Sequence, residues 1–167
     1  MFSFLAKMAV NAKAEKEKNH ARKSVPWDKI EKIALIINKD TTVNKSAIDK
    51  FIEDTKKYIE VFYIELRSKE PSFGDWQCFS KKDSSFLNLP TKKVEESVKG
   101  RTYDVVINAC EGKNLFSASL FTTLRGSLKC AGSARFKDAD LIIEKRDPEN
   151  LIAFLNDTVH YLKMIKV

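Results

Sequence analysis

The chain has 167 residues, of which 43% are hydrophobic and eleven are phenylalanine. This composition suits one domain with a sizeable core and excludes a largely disordered chain. Five glycines and four prolines are too few for an all-β sandwich with many tight turns. The net charge of +7 raises the question of where an anionic partner would bind.

Residues 1–26 are predicted to form a basic amphipathic helix and its connector. Residues 1–23 hold six basic and two acidic side chains, so more than half of the net charge lies there. The composition predicts a helix over 2–23, which Ser24 and Pro26 end. Helical spacing places a set of apolar side chains on one face: Phe4, Leu5, Met8, Ala9 and Ala12.

Residues 27–167 are predicted to form a single α/β domain in which strands and helices alternate. The continuous apolar run at 33–37 predicts a strand that is covered on both faces. Further strands are predicted at 61–64, 103–108, 128–132 and 140–143, with a short strand near 77–79. One helix is bracketed by Ala47, Ile48, Phe51, Ile52 and Ile59, and others are predicted near 91–98, 115–124 and after Asp147.

Capping residues mark several helix boundaries. Thr91 and Asn114 are predicted N-caps, and Gly126 is predicted to stop the helix that Asn114 begins. Asp147-Pro148-Glu149 predicts the start of the last helix, with Asp147 as the N-cap and Pro148 at the first helical position.

The alternation of elements predicts a three-layer α/β fold with a mostly parallel, Rossmann-like sheet of about five to six strands. The two most apolar strands, 33–37 and 104–108, are placed side by side at the centre. The topological switch point would then lie between them.

Ligands of such sheets bind at the carboxyl ends of the strands beside the switch point. The candidate crevice residues there are Asn38, Lys39, Thr41, Thr42, Asn108, Glu111 and Asn114. The alternative is that these are the ordinary polar residues of strand ends and helix caps. The loop INKDTT contains no glycine, and the chain has neither G-x-G-x-x-G nor a P-loop motif, which argues against a dinucleotide or P-loop enzyme.

No catalytic residue, metal site or cofactor is predicted. The three cysteines, Cys78, Cys110 and Cys130, form no C-x-x-C pair, and the two histidines lie far from Cys110 in the sequence. Cys110 is therefore interpreted as a partly buried thiol and not as a nucleophile. The cysteine pattern fits a reducing compartment, and no segment reaches the ~20 apolar residues of a membrane span. Lys7 interrupts the apolar start of the chain, which argues against a secretory signal. We therefore expect a cytoplasmic protein.

The basic segment has two possible anionic partners, the ribosome or another RNA and an anionic membrane surface. The residues expected to make the contact are Lys7, Lys13, Lys16, Lys18, Arg22 and Lys23. A third interpretation is that the first half of the helix packs on the body and the charged remainder is solvated.

Several segments resemble an uncharacterised family of small Bacteroidota proteins, a domain of unknown function. They are the basic helix, KIALIIN, FSKKD, YDVVINA, LFSASLFTTLRG and LKCAGSA. A fainter resemblance joins residues 103–135, from YDVVINA to CAGSAR, to the N-terminal half of heptosyltransferase-type glycosyltransferases. It implies a Rossmann-like fold without the second domain that holds most of the sugar-nucleotide donor in those enzymes.

These observations favour a non-enzymatic binding or assembly protein whose basic helix contacts an anionic partner while the body docks a protein. The alternative is a small nucleotide- or sugar-nucleotide-binding protein, or a glycosyltransferase-like enzyme, that uses the crevice. A homodimer through the strand at 139–144 is a further possibility.

Overall fold

The computed structural model describes residues 2–18, 23–39, 43–67, 73–147 and 149–166. Within these ranges, six parallel strands form one sheet in the order β3-β2-β1-β4-β5-β6. The strands are β1 (Lys32–Asn38), β2 (Tyr58–Ile64), β3 (Gln77–Phe79), β4 (Thr102–Asn108), β5 (Arg125–Ala131) and β6 (Leu141–Ile142). The predicted Rossmann-like fold is confirmed.

The predicted central pair of strands is also confirmed. β1 lies beside β4 in parallel register, with Ile33 opposite Val105 and Ile36 opposite Asn108. Nearly every residue of β1 is buried, as expected for a strand that is covered on both faces. The switch point therefore lies between β1 and β4.

Helices cover both faces of the sheet. They are α1 (Phe2–Lys18), α2 (Lys45–Thr55), α3 (Lys92–Val98), α4 (Leu115–Thr123) and α5 (Leu151–Met164). Side chains of α2 and α5 pack with one set of strand residues, including Ile33 and Leu35. Side chains of α3 and α4 pack with the alternate set, including Ala34 and Ile36.

α1 adds a further helix outside α4. Its buried side chains are Ala6, Val10 and Ala14, which recur every four residues, and α1 contacts α4. Near the end of α4, the Lys13 Nζ donates to Thr123 Oγ1 at 2.7 Å and to Glu95 Oε1 of α3 at 3.3 Å. α4 has no polar face that could meet water, so it must be buried on most sides. α1 covers the side of α4 that faces away from the sheet.

Several predicted boundaries are wrong. Ile59 belongs to β2 and not to the preceding helix, which ends at Thr55. Gly126 is a strand residue of β5, because α4 already ends at Thr123. In β5, a side chain at position 126 would meet Val106 at 2.8 Å, so this glycine permits a close approach to β4.

The last helix begins later than Asp147-Pro148-Glu149 predicts. Asn150 is the N-cap of α5, and its side chain accepts a hydrogen bond from the Ala153 amide at 2.9 Å. Asp147 instead accepts from the Glu149 amide at 3.0 Å, which forms a short turn ahead of the helix. Both aspartate and asparagine can make such bonds, so the sequence offered two competing N-caps.

Candidate functional site

A groove of about 810 Å³ lies at the carboxyl ends of β1, β2 and β4. We call it the switch-point groove, and it is lined by Asn38, Lys39, Ile64, Glu65, Leu66, Arg67, Phe86, Leu87, Asn88, Glu111, Lys113, Asn114 and Leu115. Its volume lies within the roughly 300–1,000 Å³ that is usual for small-molecule sites. Its position beside the switch point is where open α/β sheets bind ligands.

The sheet ladder brings these polar residues together. The Lys39 amide donates to the Ile64 carbonyl at 3.2 Å, which places Lys39 beside the end of β2. The Glu65 amide donates to the Phe79 carbonyl at 2.9 Å, so Glu65 extends the pairing of β2 with β3. Each neighbouring strand therefore delivers charged residues to the same edge.

Glu65 lies at the floor of the groove and is only 4% exposed. Its Oε2 pairs with Lys39 Nζ at 2.9 Å, and its Oε1 accepts from the Arg67 amide at 3.0 Å. These contacts stabilise a carboxylate that burial would otherwise penalise. Lys39 itself remains two-thirds exposed, so its ammonium faces the groove from the solvent side.

A compact loop forms one wall of the groove. Ser84 and Pro90 form an antiparallel bridge, and the Ser85 amide donates to the Leu89 carbonyl at 2.8 Å. Asn88 takes a left-handed conformation, with φ of 56°, that closes the loop. Phe86 projects from it with 83% of its surface exposed, so an aromatic ring stands at the rim of the groove.

Four of the predicted crevice residues, Asn38, Lys39, Glu111 and Asn114, do line the switch-point groove. Asn108 does not: it is fully buried, its Oδ1 accepts from the Cys110 amide at 3.0 Å, and its Nδ2 donates to the Ser117 carbonyl at 3.4 Å. Asn108 thus joins β4 to α4. Thr41 and Thr42 lie outside the described residues.

Sequence reasoning missed the contribution of β2 and of the 84–90 loop. Glu65 and Arg67 follow β2, the immediate neighbour of β1, and Lys113 sits between two predicted residues. Glu65 and Arg67 could have been predicted as groove residues, because they follow a predicted strand and all parallel strands end at one edge of the sheet. The 84–90 loop carried no signal that would place Phe86 there.

The thiol of Cys110 is buried, as is that of Cys130. Beside Cys110, the Lys145 Nζ donates to the Ala109 carbonyl. Burial lowers the pKa of Lys145, and the nearby Cys110 and Glu111 oppose that shift. This arrangement anchors the segment after β6 to the loop after β4.

A second candidate surface lies on α1. The inner row of α1 is Ala6, Val10 and Ala14, which face α4. The outer row, on the opposite side, is Phe4, Leu5 and Met8, with 65%, 52% and 53% of their surfaces exposed. The predicted apolar face is therefore the one turned to solvent, because the small inner residues allow a closer approach of α1 to α4.

The basic residues of the N-terminal segment divide into three groups. Lys7, Lys16 and Lys23 are exposed. Lys13 is tied to α3 and α4 through Glu95 and Thr123, so it contributes to packing. The side chain of Lys18 and all of Arg22 lie outside the described residues.

The chain belongs to a family described as "Family of unknown function (DUF6913)", whose family model matches residues 3–165. The match includes nearly all of α1 as well as the sheet and its helices. No curated protein and no solved structure matches the chain. In the described ranges, no helix has the length and apolar character needed to cross a bilayer.

Proposed function

We propose that this is a non-enzymatic cytoplasmic protein that binds anionic membrane surfaces through the outer row of α1. The observation that supports the proposal is the exposure of Phe4, Leu5 and Met8 on a helix whose other side is already packed. A large apolar group of this kind on a folded surface marks an interaction site. The buried side chains of α1 are instead Ala6, Val10 and Ala14.

The charges around the outer row favour a lipid surface as the partner. At 3.6 residues per turn, Lys7 and Lys16 project to opposite sides of the helix face that carries the outer row, and both are exposed. Lys16 lies about two helical turns beyond Met8. An interfacial helix combines apolar side chains that enter the headgroup region with lysines that meet anionic lipids. The ribosome or another RNA is the less favoured partner, because affinity for nucleic acid phosphates depends on cations and gains little from Phe4, Leu5 or Met8.

The interaction would be peripheral and reversible. Each lysine close to an anionic surface contributes about 1 kcal/mol, and salt screens that contribution within a Debye length. Replacing Lys7 and Lys16 together by glutamine should therefore weaken binding about 30-fold, the equivalent of about 2 kcal/mol. The body of the domain would remain free to bind a protein partner or a small molecule.

The test compares cosedimentation with anionic phosphatidylglycerol vesicles, with zwitterionic phosphatidylcholine vesicles and with ribosomes. We expect binding to the anionic vesicles that is lost in the triple variant Phe4→Gln, Leu5→Gln, Met8→Gln and weakened in Lys7→Gln, Lys16→Gln. The matched control is Lys50→Gln, Lys166→Gln, which removes two exposed lysines from the region of α2 and α5. Glutamine is a good helix former, so the helix itself is retained.

Two results would overturn the membrane proposal. One is undiminished vesicle binding by the triple variant. The other is ribosome binding by the wild-type chain without vesicle binding, which would favour the RNA hypothesis.

A Bacteroidota origin and an ancestry shared with heptosyltransferase-type enzymes remain predictions. A shared ancestry would make the switch-point groove the remnant of a substrate site.

A further inference from the structure

We propose that the switch-point groove binds a mononucleotide. This inference is independent of the membrane proposal, since the groove and the outer row of α1 share no residue. It rests on three features of the groove: cations from three neighbouring strands, carboxylates beside them and an aromatic ring at the rim.

The cations suit a phosphate group. Lys39 follows β1, Arg67 follows β2 and Lys113 follows β4, and these strands are neighbours in the sheet. Lys39 is already paired with Glu65, so Arg67 and Lys113, which are both exposed, are the cations that a ligand would engage. Arginine in particular recognises phosphate oxygens through two parallel hydrogen bonds.

The remaining lining suits the nucleoside. Among the described residues that line the groove, three cations stand beside two carboxylates, Glu65 and Glu111. A purely anionic ligand would be repelled by those carboxylates, whereas ribose hydroxyls can donate hydrogen bonds to Glu111. Phe86, with 83% of its surface exposed, is an aromatic side chain with which a base can stack, a contact that is worth about 1–3 kcal/mol in other proteins.

The geometry and the sequence agree on the size of the ligand. The groove holds about 810 Å³, enough for a mononucleotide. The loop after β1 contains no glycine motif of the type that cradles a pyrophosphate. A single phosphate held by side chains is therefore the better match than a dinucleotide held by backbone amides.

The experiment measures binding of AMP, GMP, CMP and UMP to the full chain by isothermal titration calorimetry. The corresponding nucleosides and inorganic phosphate serve as partial ligands. We expect nucleotides to bind at least tenfold more tightly than their nucleosides. Arg67→Gln and Lys113→Gln should each weaken nucleotide binding about tenfold or more, and Phe86→Ala should weaken nucleotide binding while leaving the weak binding of phosphate unchanged.

The control is Lys99→Gln, an exposed lysine at the opposite, amino-terminal side of the strands, which should bind nucleotides like the wild type. Lys39 is unsuitable for substitution, because its loss would leave the buried Glu65 without its cation. The proposal is overturned if no nucleotide binds, or if nucleosides and nucleotides bind equally well. It is also overturned if Arg67→Gln and Lys113→Gln bind nucleotides as the wild type does.

Discussion

The two faces of the sheet are covered in different ways. On one face, α2 and α5 each bury a single apolar stripe, such as Ile48 and Phe51 of α2, and turn a polar side to solvent. On the other face, α4 buries side chains all round its surface, and α1 packs outside it. The second arrangement needs an extra helix, because α4 has no polar side that could face water.

The two rows of α1 therefore have different roles. Its inner row covers α4, and Lys13 ties it to α3 and α4. The outer row is at least half exposed, although it contains the larger apolar side chains. A helix that served only to cover α4 would be expected to carry polar residues there.

The largest expected loss of stability concerns a buried ion pair on the side of the sheet that α4 covers. Lys129 of β5 and Asp138 are almost fully buried and form an ion pair at 2.5 Å. The same ammonium donates to the Phe121 carbonyl at the end of α4, at 2.6 Å. We expect Asp138→Ala to reduce the free energy of unfolding by about 3–5 kcal/mol, because it leaves a buried ammonium without its carboxylate.

Chemical denaturation would measure this loss, with Lys92→Gln as the control. Lys92 pairs with Glu96 on the exposed surface of α3, at 3.8 Å. An exposed pair contributes less than about 1 kcal/mol, so the control should be close to the wild type. Equal effects of the two substitutions would show that the buried ion pair does not stabilise this side of the sheet.

The next effect compares the two rows of α1 directly. Val10→Asp should cost at least about 2 kcal/mol, since it places a charge against α4 and removes a buried valine. Met8→Asp, two residues earlier in the outer row, should leave the free energy of unfolding nearly unchanged. Denaturation and hydrogen exchange of α1 amides would measure both. A large loss of stability for Met8→Asp would mean that the outer row also packs in the fold.

A smaller effect concerns Tyr103, which packs on the same side of the sheet as α3 and α4. Its hydroxyl donates to Glu60 Oε2 at 2.6 Å, and burial together with that carboxylate raises the pKa of Tyr103 above its usual range. Tyr103→Phe should cost about 1.5–3 kcal/mol near neutral pH, the usual contribution of a hydrogen bond to a charged group.

The raised pKa also predicts a dependence on alkaline pH. Above pH ~10 the unfolded chain loses the Tyr103 proton while the folded chain retains it, so the wild type should lose stability there as pH rises. The cost of Tyr103→Phe should therefore shrink as pH rises through this window. An ultraviolet titration of tyrosinate should show a high-pH phase in the wild type that the variant lacks. A cost that did not change with pH would contradict the assignment.

The sequence was most informative where one pattern had one physical explanation. The continuous apolar run of 33–37 and the mostly apolar segment 103–108 predicted two central strands, since strands that are covered on both faces are rich in apolar residues. It was least informative where two residues competed for one role. Asp147 and Asn150 can both cap a helix, and α1 has two apolar rows, of which periodicity alone cannot identify the buried one.

The sequence predicted only some of the residues that line the switch-point groove. Asn38 and Lys39 lie at the end of β1 and Glu111 and Asn114 follow β4, so the topology alone placed them at one edge. Phe86 reaches that edge through the fold of the 84–90 loop, which the antiparallel bridge between Ser84 and Pro90 closes. Asn108 could not be separated from its neighbours because a strand's last residue can turn inward or outward.

The most direct test of the membrane proposal replaces one residue of the outer row by a fluorescent one. In Phe4→Trp, the new indole should shift its emission to shorter wavelength when anionic vesicles are added, and lipids brominated near the headgroup should quench it. The native Trp27 and Trp76 provide the background, which is measured on the wild-type chain under the same conditions. Vesicle binding without any change in the emission from position 4 would show that the outer row of α1 is not the membrane contact.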